Sequence, residues 1–403
     1  MITSHQTRLL IGTLLVASTL TILVDTAISP ALPAIERHFA GVANAAFWVR
    51  VLLVFPSLFV ALGAPLMGVF TDRLGRKPVL FVSTALYGVA GGAGFIIESL
   101  ILLFVSRALL GIGAAGVFVA VTTLITDYFP AEQRRDAVLG WQGASMTFGG
   151  AAFFLFGGAL ASVGWRVPFL LYLGALGLLP CIVAVVYEPD VDHEASQADA
   201  SIRQVLDRLP YGQLALVYST AVIGMVVFFM VPVEIPFYLT AVVNADDFTI
   251  AVVLATQALL AAVVSTQYTR VRSRIGIIPI VGLLFALMGV GFSIVSLGDT
   301  VVAVLVGTLV TGAGVGLLIP NLNAWVAIAV PAGVRGRAVG GLTSFLFLGQ
   351  FLSPFVSSPI STWLSLRMTF RIGGGLLVGL SIVIGVLAWY GGGLIQSGST
   401  TTP

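Results

Sequence analysis

The 403-residue chain contains little charge, one lysine and one cysteine. Charged residues make up 9% of it, whereas a soluble domain needs roughly a quarter of its residues charged to cover its surface. A soluble globular protein is therefore excluded. The single cysteine, Cys181, excludes a disulfide framework and a cysteine-ligated metal site. We expect no metal and no other cofactor.

The motifs of common enzyme classes are also missing. No G-x-x-x-x-G-K-[ST] loop occurs, so the sequence gives no support for ATP hydrolysis. No nucleophile stands in a recognisable spacing from a general base, and we assign no catalytic residue. We expect a protein that is not an enzyme and that does not bind nucleic acid.

Long apolar runs make up most of the chain. Hydrophobic residues account for 58% of it, and runs of about 20 residues, long enough to span a bilayer, recur along its whole length. Continuous apolarity predicts helices, because membrane-spanning strands would alternate in polarity. We predict an all-α integral membrane protein whose first span is retained rather than cleaved as a signal peptide. The twelve predicted spans are 9–32, 46–70, 78–97, 100–127, 137–161, 167–187, 212–233, 249–268, 277–297, 301–326, 339–361 and 370–390.

The two halves of the chain repeat each other at an offset of 201 residues. The segment "PAEQRRDAV" at 130–138 matches "PAGVRGRAV" at 331–339. The same offset joins Gly75 to Gly276, Pro78 to Pro279, Gly111 to Gly312, Gly113 to Gly314 and Arg166 to Arg367. Like-oriented halves predict two parallel six-helix repeats with substrate bound between them near mid-membrane. The predicted division is 1–187 and 211–403, joined by a cytoplasmic linker at 188–210.

Basic residues are distributed unevenly between the two faces of the predicted bundle. Thirteen lie on the side of the termini and five on the opposite side, with Arg107 inside a span. Loops rich in arginine and lysine stay in the cytoplasm. The sequence therefore predicts a multi-pass protein of the cell (inner) membrane with both termini cytoplasmic.

One cluster of charge interrupts the apolar runs, at "GVFTDRLGRKPVL" (68–80) between the second and third spans. It resembles the loop signature G-x-x-x-D-R-x-G-R-K of the major facilitator superfamily, and the resemblance covers essentially the whole chain. The alternative, a positive-inside anchor, explains the cations but not Asp72. The resemblance implies the major facilitator fold and a cytoplasmic gate. Its residues would be Gly68, Asp72, Arg73, Gly75, Arg76, Lys77 and Asp127.

Two further segments resemble the drug–proton antiporter branch of that family. "RALLGIGAAG" (107–116) is similar to a motif associated with proton coupling, and "LVDTAISPALP" (23–33) is similar to a signature of drug exporters. The chain departs from the branch in the fifth span, where Phe153 and Phe154 occupy the positions of a Gly-Pro pair tied to helix bending. The resemblance implies proton-coupled export, although this departure leaves the direction of transport open.

Ionisable residues within the predicted spans are functional candidates, because a charge in the hydrocarbon costs a few kcal/mol or more. Asp25, Arg107 and Glu234 are assigned to proton coupling. Asp25 is expected about 6 Å and Arg107 about 10 Å from the outer face, so that the two can form an ion pair. The alternatives are a structural Asp25–Arg107 pair and an interfacial Glu234. Arg50 is expected to snorkel outward.

The resulting prediction is a twelve-helix secondary transporter that acts as a monomer. We expect it to export a small, partly apolar compound against proton entry; the alternatives are a proton-coupled importer of a metabolite, an exporter of a lipid-like substrate, and a non-transporting sensor or scaffold. Its partners would be the substrate, protons and the lipid bilayer. The predicted cavity residues are Trp141, Tyr218, Tyr238, Asn321, Asn323 and Gln350.

The orientation can be tested by labelling. Cysteines introduced into the 188–210 linker of a Cys181→Ser background should resist an impermeant thiol reagent in intact cells, because the basic residues hold that side in the cytoplasm. Rapid labelling of the linker would contradict the predicted topology. The same cysteines should react after the cells are permeabilised, which controls for their intrinsic reactivity.

Overall fold

A computed structural model describes residues 4–189, 210–331 and 334–395, and every regular element in these ranges is a helix. The predicted linker falls mostly on 190–209, outside the described residues, so the proposed division of the chain stays a prediction. We call the described residues 4–189 the N-half and the described residues from 210 onward the C-half. The face of the bundle at which residue 4 lies is called the terminal face, and the opposite one the distal face.

The described chain forms twelve main helical segments, which short connections join within each half. In the N-half, α1 has three parts: Ser4–Thr26, a 3-10 turn at Ser29–Ala31, and Leu32–His38. The next four helices are α2 (Ala45–Leu74), α3 (Arg76–Ala93), α4 (Leu100–Tyr128) and α5 (Glu132–Ala161). The last, α6, is a 3-10 helix at Val167–Leu178 that continues as an α-helix at Leu179–Val185. The C-half comprises α7 (Tyr211–Val243), α8 (Asp247–Thr266), α9 (Ile277–Leu297), α10 (Val301–Ala329), α11 (Arg335–Trp363) and α12 (Leu366–Ile395). A short helix, Tyr268–Arg272, connects α8 to α9.

Eleven segments of the described chain are long and apolar enough to cross a membrane. The twelfth predicted span corresponds to α3, which has 18 residues and begins with Arg76 and Lys77. These two polar residues lower its mean hydropathy, yet α3 packs against α4 and α6 as a full member of the bundle. The predicted all-α architecture of a twelve-helix membrane protein is confirmed.

The first span is longer than predicted and is broken near its middle. Pro30 and Pro33 each stand in the first turn of a short helix, where the missing N–H of proline does no harm. The span thus continues to His38 instead of ending at residue 32. His38 lies 13 positions after Asp25, so the end of the segment is about 20 Å from Asp25, whereas the predicted end at residue 32 would be about 10 Å from it. This places Asp25 near the middle of the bundle.

The packing of the helices repeats with the sequence. In the N-half α1 packs on α5, α2 on α4, and α3 on both α4 and α6. In the C-half the corresponding pairs are α7 with α11, α8 with α10, and α9 with both α10 and α12. The two halves meet along α2–α11 and α5–α8, which exchange places under the repeat. The bundle therefore has an approximate two-fold axis between its halves.

Two matched glycines show how closely the repeated helices approach. A Cβ atom on Gly111 would lie 2.4 Å from the carbonyl oxygen of Pro56, and one on Gly312 would lie 2.8 Å from that of Gln257. Both pairs obey the 201-residue offset. Glycine at these positions lets the α2–α4 and α8–α10 backbones pack without an intervening side chain, as in other membrane helix pairs.

An ion pair on the distal face repeats in the same way. Arg166 lies 3.1 Å from Glu98, and Arg367 pairs with Asp299 at the corresponding positions of the C-half. All four side chains are at least partly exposed. Each pair joins the loop between two spans to the beginning of a third, so the repeat extends to the loops.

The glycine contacts predict a clear difference in stability. Gly111→Ala should destabilise the fold by about 1–3 kcal/mol, because the new methyl group meets a backbone carbonyl that cannot rotate away. Gly12→Ala, at a position with no atom within 4 Å of an added Cβ, should be neutral or slightly stabilising. Thermal unfolding of the purified variants in detergent measures both. Equal melting temperatures for the two variants would contradict the close approach.

Candidate functional site

The polar contacts described between the two halves lie at the middle or toward the distal ends of the spans. The Gln350 side chain of α11 donates a 2.5 Å hydrogen bond to the carboxylate of Asp25 in α1. The Ser29 hydroxyl donates to the Pro232 carbonyl at 2.6 Å. A third contact joins Arg50 of α2 to Glu234 of α7. The halves are therefore closed against each other on the distal side.

Asp25 is a buried acid at this interface. Its Oδ2 accepts the hydrogen bond from Gln350, whereas its Oδ1 is buried without a hydrogen-bond partner. A cavity of about 10 Å³ adjoins it, lined by residues of both halves that include Ser57, Phe118 and Phe347. Such a cavity holds about one water molecule. The site thus offers a carboxylate with one free oxygen, next to a small space in the interior of the bundle.

Arg107 does not form the predicted ion pair with Asp25. Its side chain is completely buried, and its Nη1 donates to the Tyr172 hydroxyl at 3.0 Å and to the Val24 carbonyl at 3.5 Å. The guanidinium also lies over the rings of Phe169 and Tyr172. The two α6 rings and the Val24 carbonyl, rather than the Asp25 carboxylate, are therefore the neighbours of the Arg107 guanidinium. Its Nε and Nη2 are buried without a hydrogen-bond partner.

The expectation that Arg50 snorkels outward is wrong, and Glu234 is buried, which argues against the interfacial alternative. Arg50 is 5% exposed and Glu234 is fully buried. The Arg50 Nε lies 3.0 Å from Glu234, and its Nη1 lies 3.6 Å from Glu36. Ser357 donates a 2.7 Å hydrogen bond to the second oxygen of Glu234. Because α2 packs at the interface between the halves here, Arg50 reaches an acid of the other half instead of a lipid headgroup.

The charge cluster at the terminal face brings three of its predicted members together. Arg76 lies 3.0 Å from Asp127 at the end of α4 and 3.9 Å from Asp72. Gly75 has a φ of 94°, in the region that favours glycine, and separates α2 from α3 by a single residue. Arg73 is exposed and forms no contact that fixes it in the described part of the cluster.

Glu188 is a member of this cluster that the sequence did not reveal. Its two carboxylate oxygens accept hydrogen bonds from the backbone amides of Arg76 and Lys77, at 2.6 and 2.9 Å. A carboxylate here satisfies free N–H groups and complements the positive end of the α3 dipole. The Lys77 ammonium donates to the Val183 carbonyl of α6. An acid immediately after the last span of the N-half was the available signal.

Gly68 has no steric requirement in this conformation, since a Cβ there would have no neighbour within 4 Å.

The predicted cavity residues are dispersed. Tyr238 is fully buried and donates to the Gly298 carbonyl. Asn321 is buried between Tyr268 and the Ile277 carbonyl. Both side chains therefore hold parts of the C-half together.

Of the remaining predicted cavity residues, Gln350 lies next to Asp25. Trp141 and Asn323 are exposed. Tyr218 stacks on Phe345 with 4.8 Å between ring centroids, and its hydroxyl donates to the Ala338 carbonyl. These side chains are separate from one another, so a cavity formed by the six residues together stays a prediction.

Phe153 and Phe154 leave α5 continuous. The helix runs unbroken from Glu132 to Ala161, and Phe154 is buried. Close packing is supplied one turn later, where a Cβ on Gly158 would lie 2.2 Å from the Ala251 Cβ of α8. The contact between the halves along α5–α8 thus depends on a glycine without a bend at a proline.

Comparison with known proteins gives a consistent result. The family model described as "Major Facilitator Superfamily" matches residues 14–354 and 216–393. The tetracycline resistance protein, class E, of Escherichia coli is 26% identical, over 89% of this chain and 90% of that protein. A putative proline/betaine transporter of Staphylococcus aureus is 25% identical, over 60% of this chain and 56% of its own length.

Solved structures show the same fold. A bacterial homolog of the human lysosomal transporter Spinster, in an inward-facing and unoccupied conformation, superimposes with a TM-score of 0.75 at 18% identity, covering 96% of each chain. At this identity the likeness concerns the arrangement of the helices alone.

The terminal-face cluster predicts unequal effects of its two acids. Asp127→Asn should lower stability by about 1–3 kcal/mol, because it leaves the buried Arg76 guanidinium with a neutral partner. Asp72→Asn should change it by about 0–1 kcal/mol, since Asp72 is 73% exposed. Both variants carry the same aspartate-to-asparagine change, and the melting temperatures of the purified proteins measure the difference in stability between them. A larger loss for Asp72→Asn would contradict the geometry.

Proposed function

The chain belongs to the Major Facilitator Superfamily, and we propose that it is a proton-coupled transporter that exports a small, partly apolar compound by alternating access. The observation that carries this proposal is the position of Asp25, a buried acid inside a span that is bonded across the interface between the halves. The similarity to a tetracycline resistance protein supports the direction and the class of substrate.

Coupling follows from what the Asp25 carboxylate can bind. An ionised carboxylate at low dielectric needs a partner, and here it has one hydrogen bond from Gln350 and one free oxygen. A proton or a cationic group of the substrate can satisfy the free oxygen, but not both at once. Because Gln350 belongs to the other half, the Asp25–Gln350 bond changes when the halves rock. Occupancy of Asp25 and the conformation of the bundle are thereby linked.

Arg107 supports this exchange from a fixed position. Its guanidinium is held by Tyr172 and by the carbonyl of Val24, the residue before Asp25. The positive charge stabilises the Asp25 carboxylate after the proton has left, without occupying its free oxygen. We propose Arg107 as a positioning residue for coupling and Glu234 as the second acid candidate.

The conformation is compatible with substrate entry from the terminal face. The halves are in contact at the distal side through Ser29, Arg50 and Glu234. We propose that the terminal face is cytoplasmic, as the basic residues predict, and that this state loads substrate from the cytoplasm of a bacterial inner membrane. The cluster around Arg76 would then gate the cytoplasmic side, and one chain would suffice for the whole cycle.

Import is the second candidate, because a putative proline/betaine transporter is also similar to part of the chain. Export and import differ in the direction of the proton relative to the substrate. In an antiporter the two move in opposite directions across the same membrane, whereas in a symporter they move together. Tetracycline and betaine are therefore the two probes to compare.

The role of Asp25 can be tested in proteoliposomes with an imposed pH gradient. The wild-type protein should drive tetracycline uphill toward the side from which protons leave, and Asp25→Asn should abolish this dependence, because the amide cannot exchange a proton. Asp299→Asn supplies the same chemical change at an exposed acid of the distal face and should transport normally. Radiolabelled tetracycline inside the vesicles is the measured quantity.

Three outcomes would revise the proposal. Unchanged gradient dependence in Asp25→Asn would move the proton site elsewhere, with Glu234 next. Betaine moving in the same direction as the protons would establish the importer. If the wild-type protein transports neither tetracycline nor betaine in a way that depends on the gradient, proton coupling is contradicted for both compounds.

A further inference from the structure

Arg50 lies between two acids that belong to different halves of the molecule. Glu234 of α7 is 3.0 Å from its Nε, and Glu36 of the helix that completes α1 is 3.6 Å from its Nη1. Glu234 is fully buried, whereas the Glu36 side chain is 33% exposed. One guanidinium thus has a tight partner across the interface and a looser partner on its own side.

The other contacts of these residues divide along the same boundary. The Arg50 Nη1 donates to the Ala46 carbonyl of its own helix at 2.7 Å. Glu234 accepts a hydrogen bond from Ser357 of its own half. Phe237, one turn after Glu234, places its ring 3.8 Å from the Arg50 guanidinium carbon. Separation of the halves would therefore leave Arg50 with Ala46 and Glu36, and Glu234 with Ser357.

We propose that Arg50 closes the distal gate and exchanges Glu234 for Glu36 when that gate opens. The proposal rests on the alternating access of the proposed function and adds Arg50 and Glu36 as positioning residues for it. In the closed state the short Arg50–Glu234 contact holds α2 against α7. In the open state the Arg50–Glu36 contact shortens and takes over the charge of Arg50.

The exchange resolves an electrostatic difficulty. A buried charge that loses its only partner is strongly unfavourable, so a gate with a single buried ion pair would resist opening. Glu36 lowers that barrier by offering Arg50 a second carboxylate that moves with it. Glu234 keeps the Ser357 hydroxyl and gains water as the gate opens. The two acids thus have opposite effects on the gate, Glu234 favouring closure and Glu36 favouring opening.

Labelling of a buried reporter can test these opposite effects. Ser29 is fully buried at the contact with Pro232, so Ser29→Cys in a Cys181→Ser background reports opening of the distal side. The full-length protein in lipid nanodiscs would be exposed to a water-soluble maleimide, and the labelling rate measured. Gel filtration and a melting curve confirm that each variant is folded.

We expect Glu234→Gln to raise the labelling rate roughly tenfold or more, because it removes the partner that holds Arg50 in the closed state. Glu36→Gln should lower the rate roughly two- to fivefold, as the loss of a partly exposed ion pair from the open state would do. Glu98→Gln breaks an exposed pair on the same face and should leave the rate unchanged.

Two results would overturn the exchange. A wild-type rate in Glu36→Gln would mean that Arg50 has no second partner in the open state. A raised rate in Glu36→Gln would mean that Glu36 belongs to the closed state only. Because the assay contains neither substrate nor a proton gradient, its failure is distinguishable from failure of proton coupling in proteoliposomes.

Discussion

The central constraint on this protein is the cost of placing charge in a low-dielectric interior. Asp25, Arg107, Arg50 and Glu234 are all buried within or between the spans. Each depends on partners from a different helix, because no water of the bulk phase is available to them. The positions of these partners determine which helices are held together inside one half and which contacts the proposed rocking motion would break. The contact of Arg107 with Tyr172 joins helices inside one half. The contact of Arg50 with Glu234 joins helices of different halves.

The sequence predicted the fold well because its signals are periodic and redundant. Apolar runs, loop charges and the 201-residue offset all indicate the same twelve-helix arrangement. The partners of individual charges were predicted less well, since they depend on how helices rotate and where they end. The proline-broken end of α1 extends the span beyond Asp25, α2 presents Arg50 to the other half, and the α6 rings lie beside Arg107 in place of Asp25. The spacing of residues in the sequence does not indicate how each helix rotates or where it ends.

The same reasoning explains which candidate residues came together. Asp72, Arg76 and Asp127 meet because a one-residue turn and two helix ends leave little freedom in their positions. The aromatic and amide side chains assigned to a cavity are spread over long helices, where a rotation of a few tens of degrees decides what each one contacts. Tyr238 and Asn321 consequently serve packing, while Gln350 reaches the interface between the halves.

The internal repeat preserves the packing of the helices but not four charged residues of the N-half. At the offset of 201 residues the positions of Asp25, Arg107, Asp72 and Asp127 are occupied in the C-half by Val226, Thr308, Ser273 and Ile328. The glycine contacts and the distal ion pairs are retained in both halves, so the packing of the helices is duplicated while these four charged groups are not. The two halves are therefore not equivalent in the charged residues that they contain. The N-half supplies Asp25 and Arg50, and the C-half supplies their partners Gln350 and Glu234, so a change of residue in one half alters a contact on which the other half depends.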